Sequence, residues 1–510
     1  MRQRRWWVLA LATGLAACSS PLPSTVCATS ITYTATFTAL ANNDLDLVFV
    51  IDDGPAMAGW QAKLATQLPI LIEAVQSLSR PIGLHVGVIS SDLGVGAATN
   101  VGIPGCTVSG DSGDLRSQPE GMCTDTTLDP SATFISEIGS ARNFTAADDA
   151  SESGAAKVFQ CIAQLGDGGC GFGQPLAALA RALGADGRPP PPENVGFLRA
   201  NAYLGIIFIS SQDDCSASAG SSLFSLNDPS TNDLGDPLGP LTHYRCNHAG
   251  HLCADSQGNQ VSPPIQPPAD ATSVDGVPTL ALTNCQSNEG DAALTPVSTF
   301  VSEIRSLKRD PNQILVSGLV GPASPYAVEW LPQVGGAVPG ELWPRVAPSC
   351  GSEATDGSGA FGEPAVRLTQ FLNAFPNSVL ASVCDDSYRE VLAGFTSGQD
   401  EGQPPCVPTD IRSKTDPAGN TYPDCVVTGH LTTSDGVVQE LVLPPCATVA
   451  AGAACWSMGS ASGPNLCQAG TQSFTVSNEP VGSDSAYYGA NFTVSCQLIT
   501  PPADAGTCPG

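Results

Sequence analysis

The sequence predicts an α/β fold, in which a mostly parallel sheet has helices on its faces and a small cysteine-rich tail follows. Two observations support this class. Residues 46–52 form a continuous apolar run that ends in acid, as in a strand buried on both faces of a parallel sheet. Further along the chain, similar runs alternate with segments whose apolar residues are spaced for one face of a helix.

The predicted elements follow in order along the chain. A helix is expected after the first strand because Leu64, Leu68 and Leu71 share one helical face. A later helix is expected to have Thr295 as its cap and Pro296 in its first position, since both residues suit those places. The full prediction contains strands at 46–52, 84–91, 202–211, 314–320 and 378–383, and helices at about 64–75, 296–308 and 365–374.

The composition excludes some classes of protein. The 510 residues carry a formal net charge of −28, which excludes a general nucleic-acid binder because phosphate affinity needs a basic surface. With 42% hydrophobic and 13% charged residues, the chain is not a charge-rich disordered polymer. The 53 glycines and 43 prolines indicate long irregular loops. The 19 cysteines indicate disulfides and an oxidising compartment.

Changes in composition suggest the domain organisation. Residues 45–398 carry the α/β pattern, with interruptions at about 93–150 and 216–292 that are rich in Gly, Pro, Ser and Asp. Both interruptions contain cysteines, so we expect loop insertions held by disulfides. Residues 399–510 hold seven cysteines and many prolines but few helical patterns, which is typical of a small disulfide-stapled region of strands and irregular chain.

The N-terminus has the pattern of an export signal. Residues 1–17 combine a basic start with an apolar run that is too short to span a bilayer as a helix. The run from Leu15 to Cys18 resembles the lipobox of bacterial lipoproteins, which implies that Cys18 becomes an acylated N-terminus. We expect residues 18–44 to form a tether. The expected membrane is the outer membrane, since Ser19 rather than Asp follows the cysteine.

Acidic residues follow several of the predicted strands, at Asp52-Asp53, Ser91-Asp92, Ser211 to Asp214 and Asp385-Asp386. In a parallel sheet these positions share one edge, and ligands of such sheets bind outside the carboxyl ends of the strands. Carboxylate oxygens suit hard cations. The pattern therefore indicates that a divalent cation could sit at this edge.

The first strand and its turn, Val48 to Met57, resemble the first strand of a von Willebrand factor A (vWA) domain. The chain also resembles the predicted vWA-type lipoproteins of myxobacteria, in segments 87–94, 169–176, 196–199, 209–216 and 375–385. The resemblance covers about 45–398 and, more loosely, the tail. It implies a Rossmann-like fold and protein ligands that approach the Asp52 end of the sheet.

The resemblance also implies a metal-ion-dependent adhesion site, which this sequence only partly retains. Asp52 stands at the first metal-binding position, but Gly54 and Ala56 replace the two expected serines. Ser211 stands where a later aspartate is expected, and the loop 169–174 lacks the expected threonine. The site is therefore degenerate by comparison with the family.

Two interpretations of this site stay open. In the first, Asp52 and Asp53 hold Mg²⁺ or Ca²⁺ weakly, together with a shifted Asp213 or Asp214. In the second, the metal site has been lost, no cofactor is expected, and the acids only solvate a strand edge.

One group of cysteines and histidines also permits two interpretations. Cys246, His248, His251 and Cys253 could close around zinc, since two sulfur and two nitrogen ligands make a structural zinc site. In an exported protein we favour disulfides for both cysteines, with exposed histidines.

Other disulfides are harder to assign, because sequence does not fix connectivity. Cys161–Cys170 and Cys106–Cys123 are plausible local pairs. The α/β region holds ten cysteines, an even number, whereas the tail holds seven. We therefore expect Cys27, which stands alone in the tether, to bond a tail cysteine and to tie the two ends of the chain together.

These observations lead to a functional hypothesis. We expect a lipid-anchored, surface-displayed envelope protein that acts as a non-enzymatic binding or adhesion module for an unidentified protein ligand, with no nucleic-acid partner. A second hypothesis is a structural envelope lipoprotein without metal or ligand binding. A third is a secreted hydrolase, but Gly110 to Asp114 resembles a trypsin-like nucleophile segment in isolation, without the matching histidine segment.

Overall fold

The computed structural model describes residues 31–38, 44–76, 83–96, 105–117, 128–138, 141–149, 152–199, 202–225, 234–308, 311–332, 340–352, 360–392, 406–432, 438–449, 455–459, 470–477 and 491–499. These residues form 24 β-strands and six α-helices, and the strands build six sheets. Within these ranges, no helix has both the length and the apolar character that a membrane span requires.

The strands, in chain order, are β1 Ile31–Thr38, β2 Leu45–Ile51, β3 Leu84–Ser90, β4 Ile135–Ile138, β5 Ala141–Arg142, β6 Tyr203–Ile209, β7 His251–Ala254, β8 Gln260–Val261, β9 Thr272–Val274, β10 Val277–Ser287, β11 Ile314–Val320, β12 Tyr326–Pro332, β13 Leu342–Val346, β14 Cys350–Ser352, β15 Ala360–Gly362, β16 Ser378–Ser382, β17 Cys406–Pro408, β18 Ser413–Thr415, β19 Thr421–Pro423, β20 Cys425–Thr432, β21 Val438–Leu443, β22 Cys455–Gly459, β23 Thr471–Ser477 and β24 Asn491–Leu498. The helices are α1 Gln61–Gln76, α2 Gly154–Ile162, α3 Pro175–Leu183, α4 Tyr244–Gly250, α5 Val297–Arg305 and α6 Val366–Asn373.

The largest sheet has seven strands in the order β16-β11-β6-β2-β3-β4-β5. The first five strands run parallel, β4 pairs antiparallel with β3, and β5 pairs antiparallel with β4. Every residue of β2, β3 and β11 is buried, as the continuous apolar runs require. Helices α1 and α2 pack on one face of this sheet, and α3, α5 and α6 pack on the other.

The five predicted strands are confirmed, each within two residues of its expected bounds. The three predicted helices are also present. The helix expected at 296–308 is shorter, because Pro296 rather than Thr295 is its N-cap and the helix ends at Arg305.

The predicted fold class, an α/β domain with a small cysteine-rich tail, is nevertheless wrong. A Rossmann-like, vWA-like sheet with disulfide-held loops is not the dominant architecture, since only seven of the 24 strands belong to the seven-stranded sheet. The other five sheets are entirely antiparallel. The described molecule is therefore mostly β, assembled from several small sheets and disulfides.

The stretch 216–292 is the main source of this difference. It contributes α4 and the strands β7 to β10, which join β12 and β13 in a six-stranded antiparallel sheet. The disulfide Cys253–Cys285 links β7 to β10. In β10, Leu280 and Leu282 are buried while their neighbour Ala281 is exposed, the alternation of a half-buried strand. The predicted loop insertion thus supplies four of the six strands of a sheet with its own apolar side, on which Trp330 of β12 is fully buried.

The two ends of the described chain meet in one sheet. Strand β1 pairs with β24 along its whole length, from Ile31 opposite Leu498 to Thr38 opposite Asn491. The sheet continues through β20 to β21, and the disulfide Cys425–Cys496 links two of its strands. The predicted tether at 18–44 therefore contains a strand of the tail. The expected Cys27 bond lies outside the described residues.

Candidate functional site

The candidate site lies where parallel strands of the seven-stranded sheet end. Strand β2 leads into Asp52 and Asp53, β3 into Asp92, and β6 into Ser210 and Ser211. Because β6, β2 and β3 are parallel neighbours, their carboxyl ends share one edge of the sheet. All five of these side chains are buried, with between 1% and 6% of their surface exposed. The sequence prediction that acids gather at this edge is thus supported for the first two strands.

Asp52 accepts hydrogen bonds from neutral donors. Its Oδ1 accepts from the Gly54 N–H at 3.0 Å and from the Ser91 hydroxyl at 3.1 Å, and its Oδ2 accepts from the Ser210 hydroxyl at 2.9 Å. Hydroxyl groups near Asp52 are therefore present, but they come from the ends of β3 and β6 rather than from the turn after β2. They are already engaged by the carboxylate.

Asp53 is the least compensated acid at this edge. Its Oδ1 is shielded from solvent and has no hydrogen-bond partner. Burial, together with the negative charges of Asp52, Asp92 and Asp111, raises the pKa of Asp53 to about 8. A Cβ on Gly169 would lie 2.4 Å from the carboxyl carbon, so only glycine lets the backbone approach Asp53 this closely.

Asp92 is held by a loop that a disulfide fastens. Its Oδ1 accepts from the Gly94 N–H at 2.6 Å, and its Oδ2 accepts weakly from the Cys170 N–H at 3.4 Å. Cys170 is bonded to Cys106, which ties two loops together beside the acids. Burial also raises the pKa of Asp92. Neither Asp53 nor Asp92 has an ion-pair partner among the described residues.

Three more polar groups at this edge lack hydrogen bonds. Ser211 Oγ, His243 Nδ1 and Glu363 Oε2 are shielded from solvent and have no hydrogen-bond partner. The imidazole and the carboxylate are 3.4 Å apart, an ion pair without hydrogen-bond geometry. Burial lowers the pKa of His243, but Glu363 and Asp52 outweigh it, and the net shift is upward. The acids around His243 therefore favour its protonated form.

Asp213 follows the same edge but belongs to a separate, fully bonded network. Its Oδ1 accepts from the N–H groups of Asp214 and Leu368, and its Oδ2 accepts from the Arg367 N–H at 2.7 Å and from His251 Nε2 at 2.8 Å. Two of these donors are the first N–H groups of α6, which have no partner within a helix. Burial raises the pKa of Asp213, but the His251 hydrogen bond and charge outweigh it and the net pKa is lowered.

Asp214 is equally occupied. Its Oδ1 accepts from the Leu176 N–H in α3 and from the Ser216 hydroxyl at 2.6 Å, and its Oδ2 accepts from the Arg367 guanidinium at 3.0 and 3.1 Å. The side chains of Arg367 and Asp214 are both fully buried. The structure therefore does not bring Asp213 or Asp214 to Asp52 and Asp53 as free ligands. Their oxygens hold two helix starts and a buried arginine instead.

The disulfides confirm the predicted oxidised state but not the predicted pairs. The six described bonds are Cys106–Cys170, Cys215–Cys246, Cys253–Cys285, Cys350–Cys384, Cys425–Cys496 and Cys446–Cys455. The local pairs Cys106–Cys123 and Cys161–Cys170 are wrong because Cys106 and Cys170 bond each other. Cys161 is disulfide-bonded elsewhere, and Cys123 lies outside the described residues.

Cys246 and Cys253 are both in disulfides, as favoured over a zinc site, but with Cys215 and Cys285. The expectation of exposed histidines is wrong. His251 is fully buried between Asp213 and Tyr326, and His248 is half-buried with its Nδ1 2.7 Å from the Pro263 carbonyl oxygen.

Sequence reasoning missed several residues that shape this edge. Ser210 could have been found, since a hydroxyl at a strand end is a local signal. Arg367 and Glu363 could not, because they lie about 150 residues from their partners in the sequence. Cys18, the predicted lipidation site, lies outside the described residues.

Comparison with known proteins gives little further guidance. No protein-family model matches the sequence, and no curated protein is significantly similar to it. The chain shares 11% identity and a TM-score of 0.29 with the open conformation of the pilus adhesin SpaC from Lactobacillus rhamnosus GG, over 94% of this chain and 42% of that one. It shares 11% identity and a TM-score of 0.27 with the pilus adhesin RrgA from Streptococcus pneumoniae, over 92% of this chain and 58% of that one. The chain thus spans about half the length of these adhesins, and similarity this low leaves function to be argued from the site.

Proposed function

We propose that the protein is a non-enzymatic binding module, held at the cell envelope by lipidated Cys18, that receives a positively charged group of a protein ligand at the acidic edge. One observation carries this proposal. Asp53 is a buried carboxyl group with an unpartnered oxygen and a pKa raised to about 8 by burial and by neighbouring acids. A cation at this position would replace the proton that the raised pKa otherwise keeps on this carboxyl group below about pH 8.

The chemistry of the incoming group follows from the charges around the edge. Asp52, Asp53 and Asp92 have no Lys or Arg at ion-pair distance within the described ranges, and Asp111 nearby is paired with Arg116 at 2.8 Å. A divalent cation and a Lys or Arg side chain of a protein ligand supply the same missing charge. A divalent cation and a basic side chain therefore meet the same requirement for positive charge, and an experiment has to distinguish between them.

The rigidity of the edge also supports a binding role. The Cys106–Cys170 disulfide fastens the loops beside Asp92, and the Asp213–Asp214 network fixes the starts of α3 and α6. A site whose surroundings are already ordered loses less conformational entropy on binding.

A calorimetric titration tests the proposal. The detergent-solubilised full chain is titrated with Mg²⁺, Mn²⁺ and Ca²⁺, and separately incubated with envelope extract, with and without a chelator. We expect binding in at least one arm, weakened at least tenfold by Asp52→Ala and Asp53→Asn. Asp386→Asn, an exposed acid beyond the same edge, is the matched control and should leave binding unchanged.

The two arms distinguish the sources of charge. Heat from the metals alone indicates a cation site, whereas chelator-resistant capture of an envelope protein indicates a basic side chain. Equal behaviour of the wild type and Asp53→Asn in both arms would contradict the proposal and favour a structural envelope protein.

The anchor is tested separately. We expect Cys18→Ala to lose incorporation of labelled palmitate and to leave the membrane fraction, since acyl chains provide the membrane affinity. A Cys18→Ala protein that stays membrane-bound would exclude this mode of attachment.

A further inference from the structure

The Cys215–Cys246 disulfide has an imidazole beside it. Cys215 directly follows Asp214, and Cys246 lies in α4 three residues after His243. The two sulfur atoms and a ring nitrogen of His243 all lie within 4.8 Å of one another. In the part of the chain that the structure describes, no other three His, Cys, Asp or Glu side chains bring their ligand atoms so close together.

A carboxylate lies beside the imidazole, outside this group of three. Glu363 Oε2 lies 3.4 Å from His243 Nδ1, and neither atom has a hydrogen-bond partner although both are shielded from solvent. The Glu363 N–H donates to the Ser211 carbonyl oxygen at 2.8 Å, so the loop that carries Cys215 also positions this glutamate. Buried polar atoms without partners are rare, and each requires an explanation. Here the two atoms form an ion pair with each other, and the carboxylate can orient the imidazole of a metal-binding histidine.

Two thiolates and an imidazole are ligands that suit tetrahedral zinc, with water in the fourth position. In the oxidised chain the two sulfurs are bonded to each other, so they cannot serve as thiolate ligands. We propose that reduction of the Cys215–Cys246 disulfide converts this group into a Zn²⁺ site with Cys215, Cys246 and His243 as ligands, in which the Glu363 carboxylate orients His243.

The conversion needs a two-electron reductant, for which we take a phosphine. The S–S bond breaks, phosphorus is oxidised to the phosphine oxide with the oxygen of a water molecule, and each sulfur gains one proton from that water. Zn²⁺ then displaces the two thiol protons, which pass to solvent, since the thiolate is the ligand. A newly synthesised chain starts in the same dithiol state, because disulfides form only in an oxidising compartment.

The site differs from the zinc group that the sequence suggests. His248 and Cys253 are not part of it, because His248 contacts the Pro263 carbonyl oxygen and Cys253 is bonded to Cys285. The inference is also independent of ligand binding at the acidic edge, because Asp53 is not one of the three zinc ligands.

Zinc uptake by the full chain tests the inference. The detergent-solubilised protein is reduced with the phosphine under native, oxygen-free conditions, freed of reductant, and titrated with Zn²⁺ and with Co²⁺, whose absorption reports thiolate ligation. Reduction opens other disulfides too, so the decisive measurement is a difference between variants. His248→Gln is the matched control, since it removes an imidazole from the same helix without touching this group.

We expect no zinc in the oxidised chain and, after reduction, one equivalent fewer in His243→Gln than in the wild type or His248→Gln. Glu363→Gln should keep the metal with at least tenfold weaker affinity, which provides a second test if His243→Gln fails to fold. Equal zinc content and equal Co²⁺ spectra in the wild type, His243→Gln and Glu363→Gln would overturn the proposal.

Discussion

The Asp213–Asp214 pair and the Asp52–Asp53 pair follow neighbouring parallel strands at one edge of the seven-stranded sheet, yet their charges are compensated differently. Every oxygen of Asp213 and Asp214 accepts a hydrogen bond, the Arg367 guanidinium supplies positive charge to Asp214, and His251 Nε2 lies 2.8 Å from Asp213 Oδ2. Asp52 has only neutral donors, and Asp53 keeps an unpartnered oxygen. The comparison shows that burial of an acid alone does not indicate its role. What matters is whether the fold itself supplies the partner.

The largest expected effect comes from removing the partner of the compensated pair. Arg367→Met leaves Asp214 buried without its guanidinium, so the free energy of unfolding should fall by about 3–5 kcal/mol. Denaturant unfolding with the disulfides intact measures this change. Arg345→Met removes an exposed arginine that pairs with Glu329 at 3.0 Å and should cost less than ~1 kcal/mol. Similar losses of stability in both variants would show that the buried Arg367–Asp214 ion pair contributes no more than the exposed Arg345–Glu329 pair.

For the uncompensated pair, we expect a substitution to raise the free energy of unfolding rather than to lower it. The pKa of Asp53 is raised from an ordinary 3.8 to about 8, so between these pH values the folded state holds a proton that the unfolded state has lost. Wild-type stability should therefore fall as pH rises through this window, by up to about 1.4 kcal/mol per pH unit. Asp53→Asn imitates the neutral carboxyl group and should lose this dependence.

The measurement for Asp53 is the unfolding midpoint between pH 5 and 8. Asp53→Asn should be more stable than the wild type at pH 8, and the difference should shrink towards pH 5. Parallel pH profiles for the two proteins would show that the fold compensates the charge of Asp53, as it does the charges of Asp213 and Asp214.

A smaller effect is expected at Asp52. Ser210→Ala removes the hydroxyl that lies 2.9 Å from Asp52 Oδ2, and the loss of a hydrogen bond to a buried carboxylate should cost roughly 1–3 kcal/mol at pH 7. Chemical denaturation of the oxidised protein measures it. A Ser210→Ala protein as stable as the wild type would mean that this hydroxyl contributes nothing to holding the charge.

The smallest effect is expected at an acid that follows the outermost strand of the sheet. Asp386 is exposed after β16, so Asp386→Asn should change stability by less than about 0.5 kcal/mol at any pH from 5 to 8. The same unfolding series provides this value. A larger change would show that the sheet edge is electrostatically coupled as a whole, and the contrast between the two aspartate pairs would lose its meaning.

Local patterns predicted much of the seven-stranded sheet, because a buried strand or an amphipathic helix is encoded by residues a few positions apart. The run at 314–320 became β11 with identical bounds, and the apolar face of Leu64, Leu68 and Leu71 became that of α1. The fold class was wrong because the stretch 216–292 carries short strands whose alternation is weak and interrupted by turns. Leu280 and Leu282 in β10 were the local signal that such a strand exists.

The candidate site, too, was predicted from the sequence only in part. The sequence by itself determined that Asp52, Asp53 and Asp92 stand at strand ends and that most cysteines are oxidised, because strand ends, residue types and cysteine count are local or compositional properties. Only the tertiary structure decided that Arg367 neutralises Asp214, that Cys106 bonds Cys170, and that β1 closes onto β24. Charge compensation and disulfide pairing depend on which distant segments pack together. The spacing of residues along the chain does not determine which of these distant segments come into contact.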